Sequence, residues 1–254
     1  MKKFITNNNL LFFFGVLFVF ALWFIISLSQ GRGNLVFPSP IETFGRFGEL
    51  LSLGSTWNAL GSSLLRTLEG FAFAFAFALL LGSLAGEIKP LQHFFKPLII
   101  VFKSAPTAAF VFLFLVISGS SNAPIWVVSI LAFPILYESV VSGINAIPRE
   151  ILWASRVDQG TKIRTLIAIK IPLAAPYVAL GVLNSFALSF KTEIMAEIIT
   201  GSTSLGLGGL IRNYRNLDPT DLSPIFAITL LAIIAILILD GLHFLLRYLL
   251  RDRI

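Results

Sequence analysis

The chain has 254 residues, of which 56% are hydrophobic and only 13% are charged, and its mean hydropathy is +0.89. A soluble domain carries about a quarter charged residues, so this composition excludes a water-soluble globular protein. Cysteine is absent, which excludes disulfides and thiolate metal sites. The net charge of +6 comes from cations placed near the ends of apolar segments, so we expect no nucleic-acid partner.

Six apolar segments are long enough to cross a bilayer, and they predict an all-α membrane protein with about six transmembrane helices. Their approximate bounds are 10–28, 60–86, 97–117, 124–143, 173–199 and 222–245. The first apolar run exceeds the usual length of a signal-peptide core, which favours a membrane anchor over a cleaved leader. We expect residues 1–254 to form a single transmembrane domain.

The basic residues predict the orientation of these segments. With both termini in the cytoplasm, 13 of the 19 Lys and Arg residues fall on the cytoplasmic side, five fall on the opposite side, and Lys191 remains within a span. Cytoplasmic loops of membrane proteins carry the excess of Lys and Arg. Both termini are therefore expected to be cytoplasmic.

Two outer segments have patterns of their own. Residues 35–40 (LVFPSP) contain two prolines, and residues 41–53 then alternate at helical spacing, which predicts a short helix on the outer surface. Residues 202–210 (STSLGLGGL) form a glycine-rich loop with Gly206, Gly208 and Gly209, followed by a short surface segment over 211–217. The phosphate-binding pattern GxxxxGK[ST] is absent, so these glycines do not predict a nucleotide site.

The second segment contains the alternating run FAFAFAF at residues 71–77. Alternation is typical of a strand, but the run lies inside a long uncharged stretch that has to be helical in a bilayer. Small residues recur every four positions, at Gly70, Ala74, Ala78, Gly82 and Gly86. Such a ridge lets helix backbones approach closely, so we expect a packing role for it.

The fifth segment carries Lys191, Glu193 and Glu197, and charges at this depth normally face a partner or an aqueous pathway. Glu193 and Glu197 are one turn apart and share a helix face. One interpretation places these residues along a translocation pathway or at its outer gate, and the other places them in interhelical salt bridges. Glu138 in the fourth segment is a further acid, and Lys103 either pairs with it or extends to the interface.

The loop 144–172, between the fourth and fifth segments, is long and cationic. Five basic residues, Arg149, Arg156, Lys162, Arg164 and Lys170, face only two acids, Glu150 and Asp158. Pro148 suits the first turn of a short helix, and Glu150 is favourable near its positive end. A structured loop of this kind on the cytoplasmic side predicts a docking surface for a soluble partner.

Together, these features resemble a family, the inner-membrane permease subunits of ATP-binding-cassette (ABC) importers, in the nitrate, sulfonate and taurine branch. The resemblance covers nearly the whole chain. It rests on LVFPSP, SLLRTLEGF, KSAPTAAF, IPREILWAS, IPLAAPY and MAEIITGSTSLGLGGLI. It implies a type I ABC importer permease fold with a cytoplasmic coupling helix.

The family's loop signature is E-A-A, then Gly four residues after the second Ala, and later a hydrophobic-Pro pair. Trp153, Ala154 and Ser155 occupy the E-A-A positions, and Gln159 occupies the glycine position with Gly160 one residue later. The spacing is kept while the chemistry differs. The resemblance implies that the coupling residues are Arg149, Glu150, Trp153, Ala154, Ser155, Gln159 and Gly160.

The resemblance also implies the chain's function. The chain would form the pathway for a small polar or anionic solute of the sulfonate, nitrate, taurine or vitamin-precursor type, with no enzymatic activity, cofactor or metal of its own. ATP would be bound by a cytoplasmic ATPase dimer, an outer solute-binding protein would deliver the solute, and a second permease copy would complete a homodimer in the bacterial plasma membrane. The alternative is an ion-coupled secondary transporter, which predicts an internal repeat that the sequence lacks. An intramembrane enzyme is disfavoured because His93 and His243 lie near span ends.

Overall fold

A computed structural model of the chain describes residues 8–29, 37–148, 150–151, 162–201 and 206–251. Its helices are α1 (Asn8–Ser29), α2 (Pro40–Ser52), α3 (Gly54–Glu87), α4 (Lys89–Ser104), α5 (Thr107–Asn145), α6 (Lys162–Thr165), α7 (Ile171–Thr200), α8 (Leu207–Leu217) and α9 (Ser223–Arg251). A π-helical turn, Leu166–Lys170, joins α6 to α7. The described residues contain no strand, and the FAFAFAF run is helical as expected.

Five helical stretches in the described residues are long and apolar enough to cross a membrane: Leu10–Ser29, Gly54–Glu87, Thr107–Asn145, Leu166–Thr200 and Ser223–Gly241. The expected third span, 97–117, is not one helix. Its first half belongs to α4, which carries three lysines and ends at Ser104, and its second half opens α5. Pro106 has no N–H to donate, and it restricts Ala105 to an extended conformation, so the helix stops there.

The fourth expected span, 124–143, lies within α5. The backbone of α5 leaves helical geometry at Gly119, where φ is 77° and ψ is 170°. A positive φ of this size is accessible to glycine at little cost. The segments before and after Gly119 therefore form two helical parts joined by a sharp change of direction.

The chain divides into two compact units, one formed by Met1–Asn58 with Leu210–Ile233 and the other by Ala59–Gly209 with Ile234–Ile254. In the first unit, the short helix expected after the proline pair is α2, and Ser39 and Glu42 form a capping box at its start. The indole N–H of Trp23 donates to the carbonyl of Pro38 at 3.0 Å, and the Trp23 ring stacks on Phe226.

Polar contacts complete the first unit. Arg46 pairs with Glu49 at 2.5 Å and lies over the ring of Tyr214. The hydrogen bond that Arg46 donates to Glu49 raises the pKa of Arg46 above its usual value. Between α8 and α9, the hydroxyl and amide of Thr220 donate to Asp218, and these bonds lower the pKa of Asp218.

In the second unit, the small-residue ridge of α3 packs directly on α5, as the four-residue spacing predicted. A Cβ on Gly70, Gly82 or Gly86 would lie about 2.5–2.9 Å from atoms of α5. The hydroxyl of Ser129 donates to the carbonyl of Gly70 at 2.9 Å, which places the two backbones in close contact. Helices without large side chains at their interface gain packing and such hydrogen bonds in lipid.

Candidate functional site

A buried polar cluster joins α3, α7 and the start of α8. The carboxylate of Glu197 accepts hydrogen bonds from the guanidinium of Arg66 at 2.9 Å, from the hydroxyl of Ser63 and from the backbone N–H of Gly208 at 2.8 Å. Glu197 is fully buried, and Arg66 is mostly buried. We call Glu197 with Ser63, Arg66 and Gly208 the Glu197 clamp.

The position of the clamp follows from the local chain path. Helix α7 ends at Thr200, the residue that caps it, Gly201, has a left-handed φ of 62°, and α8 begins at Leu207. The first N–H groups of a helix have no partner within it and carry partial positive charge. Here Leu207 donates to the hydroxyl of Ser63 at 2.9 Å, while the next N–H reaches Glu197. The carboxylate therefore anchors the N-terminus of α8.

Two glycines of the outer loop lie against the carboxylate and Cβ of Glu197. A Cβ on Gly206 would overlap the Glu197 carboxylate, and a Cβ on Gly208 would lie 2.5 Å from the Cβ of Glu197. Both positions therefore require the smallest residue. Gly209 is buried in the first turn of α8. The predicted outer-loop glycines thus lie where the loop returns to α7.

Glu193 lies one turn before Glu197 and is fully buried, yet neither of its carboxyl oxygens has a hydrogen-bond partner. Lys191 is exposed, and no ion pair joins it to another described residue. Of the three predicted residues in this span, Glu193 and Glu197 lie together on the buried face and Lys191 lies apart. A buried acid without a partner costs free energy, and such groups concentrate where a protein changes state or binds something.

Sequence reasoning did not identify Ser63 and Arg66 as partners of Glu197. From the sequence, Arg66 was only one of the five cations expected on the outer side. A sharper indication was present: Ser63 and Arg66 are three residues apart, on one face of a predicted transmembrane helix. A polar face in lipid demands a partner, but its identity required the fold.

The predicted coupling residues are mostly outside the described residues. Arg149, Trp153, Ala154, Ser155, Gln159 and Gly160 all fall there. Glu150 is described as helical and exposed. The C-terminal end of the same loop is described, and Lys170 there forms an ion pair with Glu87 at the end of α3. This pair attaches the end of the loop to the α3–α4 junction.

A second ion pair lies between α4 and α5. The ammonium of Lys103 contacts both carboxylate oxygens of Glu138, at 2.8 and 3.1 Å, and both side chains are half exposed. Of the two possibilities left by the sequence, the structure selects pairing. Among the described residues, no group of three or more His, Asp or Glu side chains is placed to hold a metal ion.

Comparison with known protein families gives a match over residues 74–251 to the family described as binding-protein-dependent transport system inner membrane component. The match includes the cationic loop and the helices on either side of it. The chain belongs to this family, and it is the membrane-spanning permease subunit of an ABC importer.

Individual relatives agree with this assignment. The chain is 29% identical over 195 residues to the riboflavin transport system permease protein RibX of Chloroflexus aurantiacus, covering 76% of this chain and 72% of that protein. It is 30% identical over 209 residues to the bicarbonate transport system permease protein CmpB of Synechococcus elongatus, covering 78% and 74%.

A solved structure shares the fold. The chain aligns with inward-facing conformations of the MetNI methionine ABC transporter with a TM-score of 0.60 and 18% identity. The alignment covers 74% of this chain and 90% of the solved one. This supports the type I ABC importer permease fold that the resemblance implied.

Proposed function

We propose that the chain imports a small polar or anionic solute, using ATP that a separate cytoplasmic ATPase dimer binds and hydrolyses. The observation that carries this proposal is the family match over residues 74–251, which spans the loop 144–172. In this proposal Glu150 and the coupling residues Arg149, Trp153 and Gly160 contact the ATPase. The chain itself has no enzymatic activity and needs no cofactor.

The ion pair between Lys170 and Glu87 supports a route for coupling. It attaches the end of the loop to the end of α3, next to the start of α4. Movement of the loop by an ATPase is then passed to α3 and α7 together. The transporter then alternates between inward-open and outward-open states, driven by ATP, which has a different affinity for each state.

The proposed assembly has two copies of this chain and an outer solute-binding protein. Both termini and the loop 144–172 lie in the cytoplasm, because that orientation gives the cytoplasmic side most of the Lys and Arg residues. The Glu197 clamp then lies toward the outer side, where it holds the glycine-rich loop. We assign Lys191, Glu193 and Glu197 to the outer end of the pathway, with Glu197 as the anchor.

The substrate class follows from the relatives together with the charge of this chain. One relative is named for bicarbonate and another for riboflavin, so the family accepts small polar solutes of different charge. In this chain the lysines of α4 outnumber the acids beside them, which favours an anion such as a sulfonate, nitrate or bicarbonate. A vitamin precursor or taurine carries the same kind of polar groups.

Reconstitution tests this function. The purified chain, its ATPase and its binding protein are placed in proteoliposomes, and uptake of labelled solute is measured with ATP and, separately, with an ion gradient. Uptake that requires ATP supports the proposal, and uptake that follows the gradient supports a secondary transporter instead. Trp153→Ala and Gly160→Pro should uncouple ATP hydrolysis from uptake in the same assay, and normal coupling in both would contradict the assignment of the loop.

A further inference from the structure

A cavity of about 300 Å³ lies between α4 and α5, and none of its lining residues belongs to the Glu197 clamp. Its polar lining consists of Gln92, His93, Lys96, Tyr137, Glu138 and Ser142. The volume is within the range of sites that hold small molecules. We call it the α4–α5 cavity.

Tyr137 is the first indication that this cavity binds a ligand. Its side chain is only 4% exposed, and its hydroxyl has no hydrogen-bond partner. The ring is held in place by Phe95 and Phe133, with ring centroids 6.1 and 5.8 Å away. Leaving a buried hydroxyl unpaired costs about 1–3 kcal/mol, so the hydroxyl is expected to have a partner in another state of the protein.

The charge of the cavity is the second indication. Lys96 lines it, and no ion pair joins Lys96 to any described residue. The one acid of the lining, Glu138, is neutralised by Lys103 at 2.8 Å. The cavity therefore carries a net positive charge and attracts an anion.

The pattern of α4 extends this positive charge along one face. Lys89, Lys96 and Lys103 recur every seven residues, which places them on the same side of the helix. His93 shares this side, and its Nδ1 lies 2.8 Å from the carbonyl of Lys89. Because a carbonyl only accepts, Nδ1 carries the hydrogen in that contact, and the ring orientation is fixed.

The opposite side of α4 distinguishes a dissolved solute from a lipid. Phe94, Leu98 and Val101 are exposed there, with Phe94 72% exposed, as expected for a side that faces hydrocarbon. The cavity and the lysines lie away from this apolar side. A ligand in the cavity is therefore approached from the polar side of the helix, which favours a solute over a lipid headgroup.

We propose that the α4–α5 cavity binds a small dissolved solute through a carboxylate, sulfonate or phosphate group. Lys96 supplies the charge, and the hydroxyls of Tyr137 and Ser142 with the amide of Gln92 supply neutral donors. The site lies in the permease itself, toward its cytoplasmic side in the proposed orientation. The proposal deepens the importer function and depends on it only for that orientation.

The test measures binding to the purified full chain in neutral detergent, without ATPase or binding protein. Methanesulfonate and acetate are titrated separately, and binding is followed by saturation-transfer NMR of their methyl protons; inorganic phosphate, which has no such protons, is titrated as a competitor of methanesulfonate. Lys96→Met removes the charge and keeps the stem, and Tyr137→Phe removes only the hydroxyl. We expect Lys96→Met to weaken binding at least tenfold and Tyr137→Phe to weaken it roughly three- to tenfold, the value of one or two hydrogen bonds.

Matched controls separate the cavity from general effects of charge. Lys89→Met removes a lysine from the same face outside the cavity, and Tyr177→Phe removes an exposed hydroxyl from α7, so both should leave binding unchanged. Absence of binding in the natural chain, or equal weakening by Lys89→Met and Lys96→Met, would overturn the site.

A second arm distinguishes the two sources of an anionic group. The chain is placed in nanodiscs of phosphatidylcholine alone or with phosphatidylglycerol, and the methanesulfonate titration is repeated. Equal binding in both supports a solute site. Loss of methanesulfonate binding in the nanodiscs with phosphatidylglycerol would show that a lipid headgroup occupies the cavity and would overturn the proposal. Because no ATP is used, this outcome is independent of whether the chain functions as an importer.

Discussion

Glu193 and Glu197 show how two identical side chains on one helix face acquire different roles. Glu197 is satisfied by Arg66, Ser63 and the N–H of Gly208, whereas Glu193, one turn away, has no hydrogen-bond partner. Removing one member of a buried ion pair leaves the other uncompensated. Removing a carboxyl that already lacks partners leaves nothing unpaired. The two acids therefore make a matched pair for experiment.

Replacing Glu197 by Gln should destabilise the protein by about 3 kcal/mol, because Arg66 would remain buried beside a neutral amide. The measurement is thermal unfolding of the purified chain in detergent, followed by intrinsic Trp fluorescence. Arg66→Met should cost a similar amount, and the double variant should cost much less than the sum.

Glu193→Gln is the control for that experiment. It changes the same group on the same face, and we expect a change in unfolding free energy within about 1 kcal/mol because no hydrogen bond is lost. A large loss of stability in Glu193→Gln, or a small one in Glu197→Gln, would contradict the assignment of Glu197 as the anchor of α8.

Among the helices, close approach is set by small residues at a few positions. The ridge of α3 meets Val128, Val140 and Ile144 of α5, and the start of α8 meets α7 at Gly208. At each place a side chain would occupy space already filled by a neighbouring helix. Overpacking of this kind forces the helices apart.

Gly208→Ala should therefore destabilise the protein by roughly 1–3 kcal/mol, because the new Cβ would lie 2.5 Å from the Cβ of Glu197 and 2.6 Å from the carbonyl oxygen of Ile194. Gly61→Ala in α3 is the matched substitution at a position with open space. It should stabilise the helix by about 0.5–1 kcal/mol. Unfolding in detergent measures both, and equal effects of the two substitutions would show that the close approach at α8 is unimportant.

For the complete transporter, the ion pair between Glu87 and Lys170 is the described link between the proposed coupling loop and α3. Glu87→Gln should leave ATP hydrolysis by the assembled complex active and lower transport per ATP several-fold, because the loop end loses its attachment. Proteoliposomes with the ATPase and binding protein provide both rates. Exchanging the charges, Glu87→Lys with Lys170→Glu, should restore coupling.

The control for Glu87→Gln is Glu49→Gln, which breaks the exposed ion pair with Arg46 on α2. An exposed pair contributes little, so coupling should be unchanged. If Glu49→Gln and Glu87→Gln lower transport per ATP equally, the effect does not arise from the loop.

The orientation of the chain can be tested directly because it contains no cysteine. A single cysteine introduced as Asp218→Cys, between α8 and α9, should react with a membrane-impermeant maleimide on intact spheroplasts. A cysteine introduced as Lys162→Cys should react only after the membrane is permeabilised. The reversed pattern would place the cationic loop outside the cell and contradict the proposed ATPase contact.

The sequence by itself determined the membrane class and the helical secondary structure, because these depend on composition and segment length, and its motifs carried the resemblance to the family. The ridge of α3 and the short helix α2 could be predicted for the same reason, since the pattern of each lies within one helix. The break in the expected third span could be predicted only in part. Pro106 indicated the end of a helix, but the apolar run around it was long enough to predict a continuous span.

Only the tertiary structure decided which charges meet. Glu197 and Arg66 are 131 residues apart, and Lys103 and Glu138 are 35 apart, so no local pattern pairs them. The pairing is decided by which helix faces pack together, because a charge in a membrane-spanning helix meets a partner only across such a packing surface. That is why Glu197 is an anchor, Glu193 is unpaired and Tyr137 faces a cavity, although all three stand in similar apolar surroundings in the sequence.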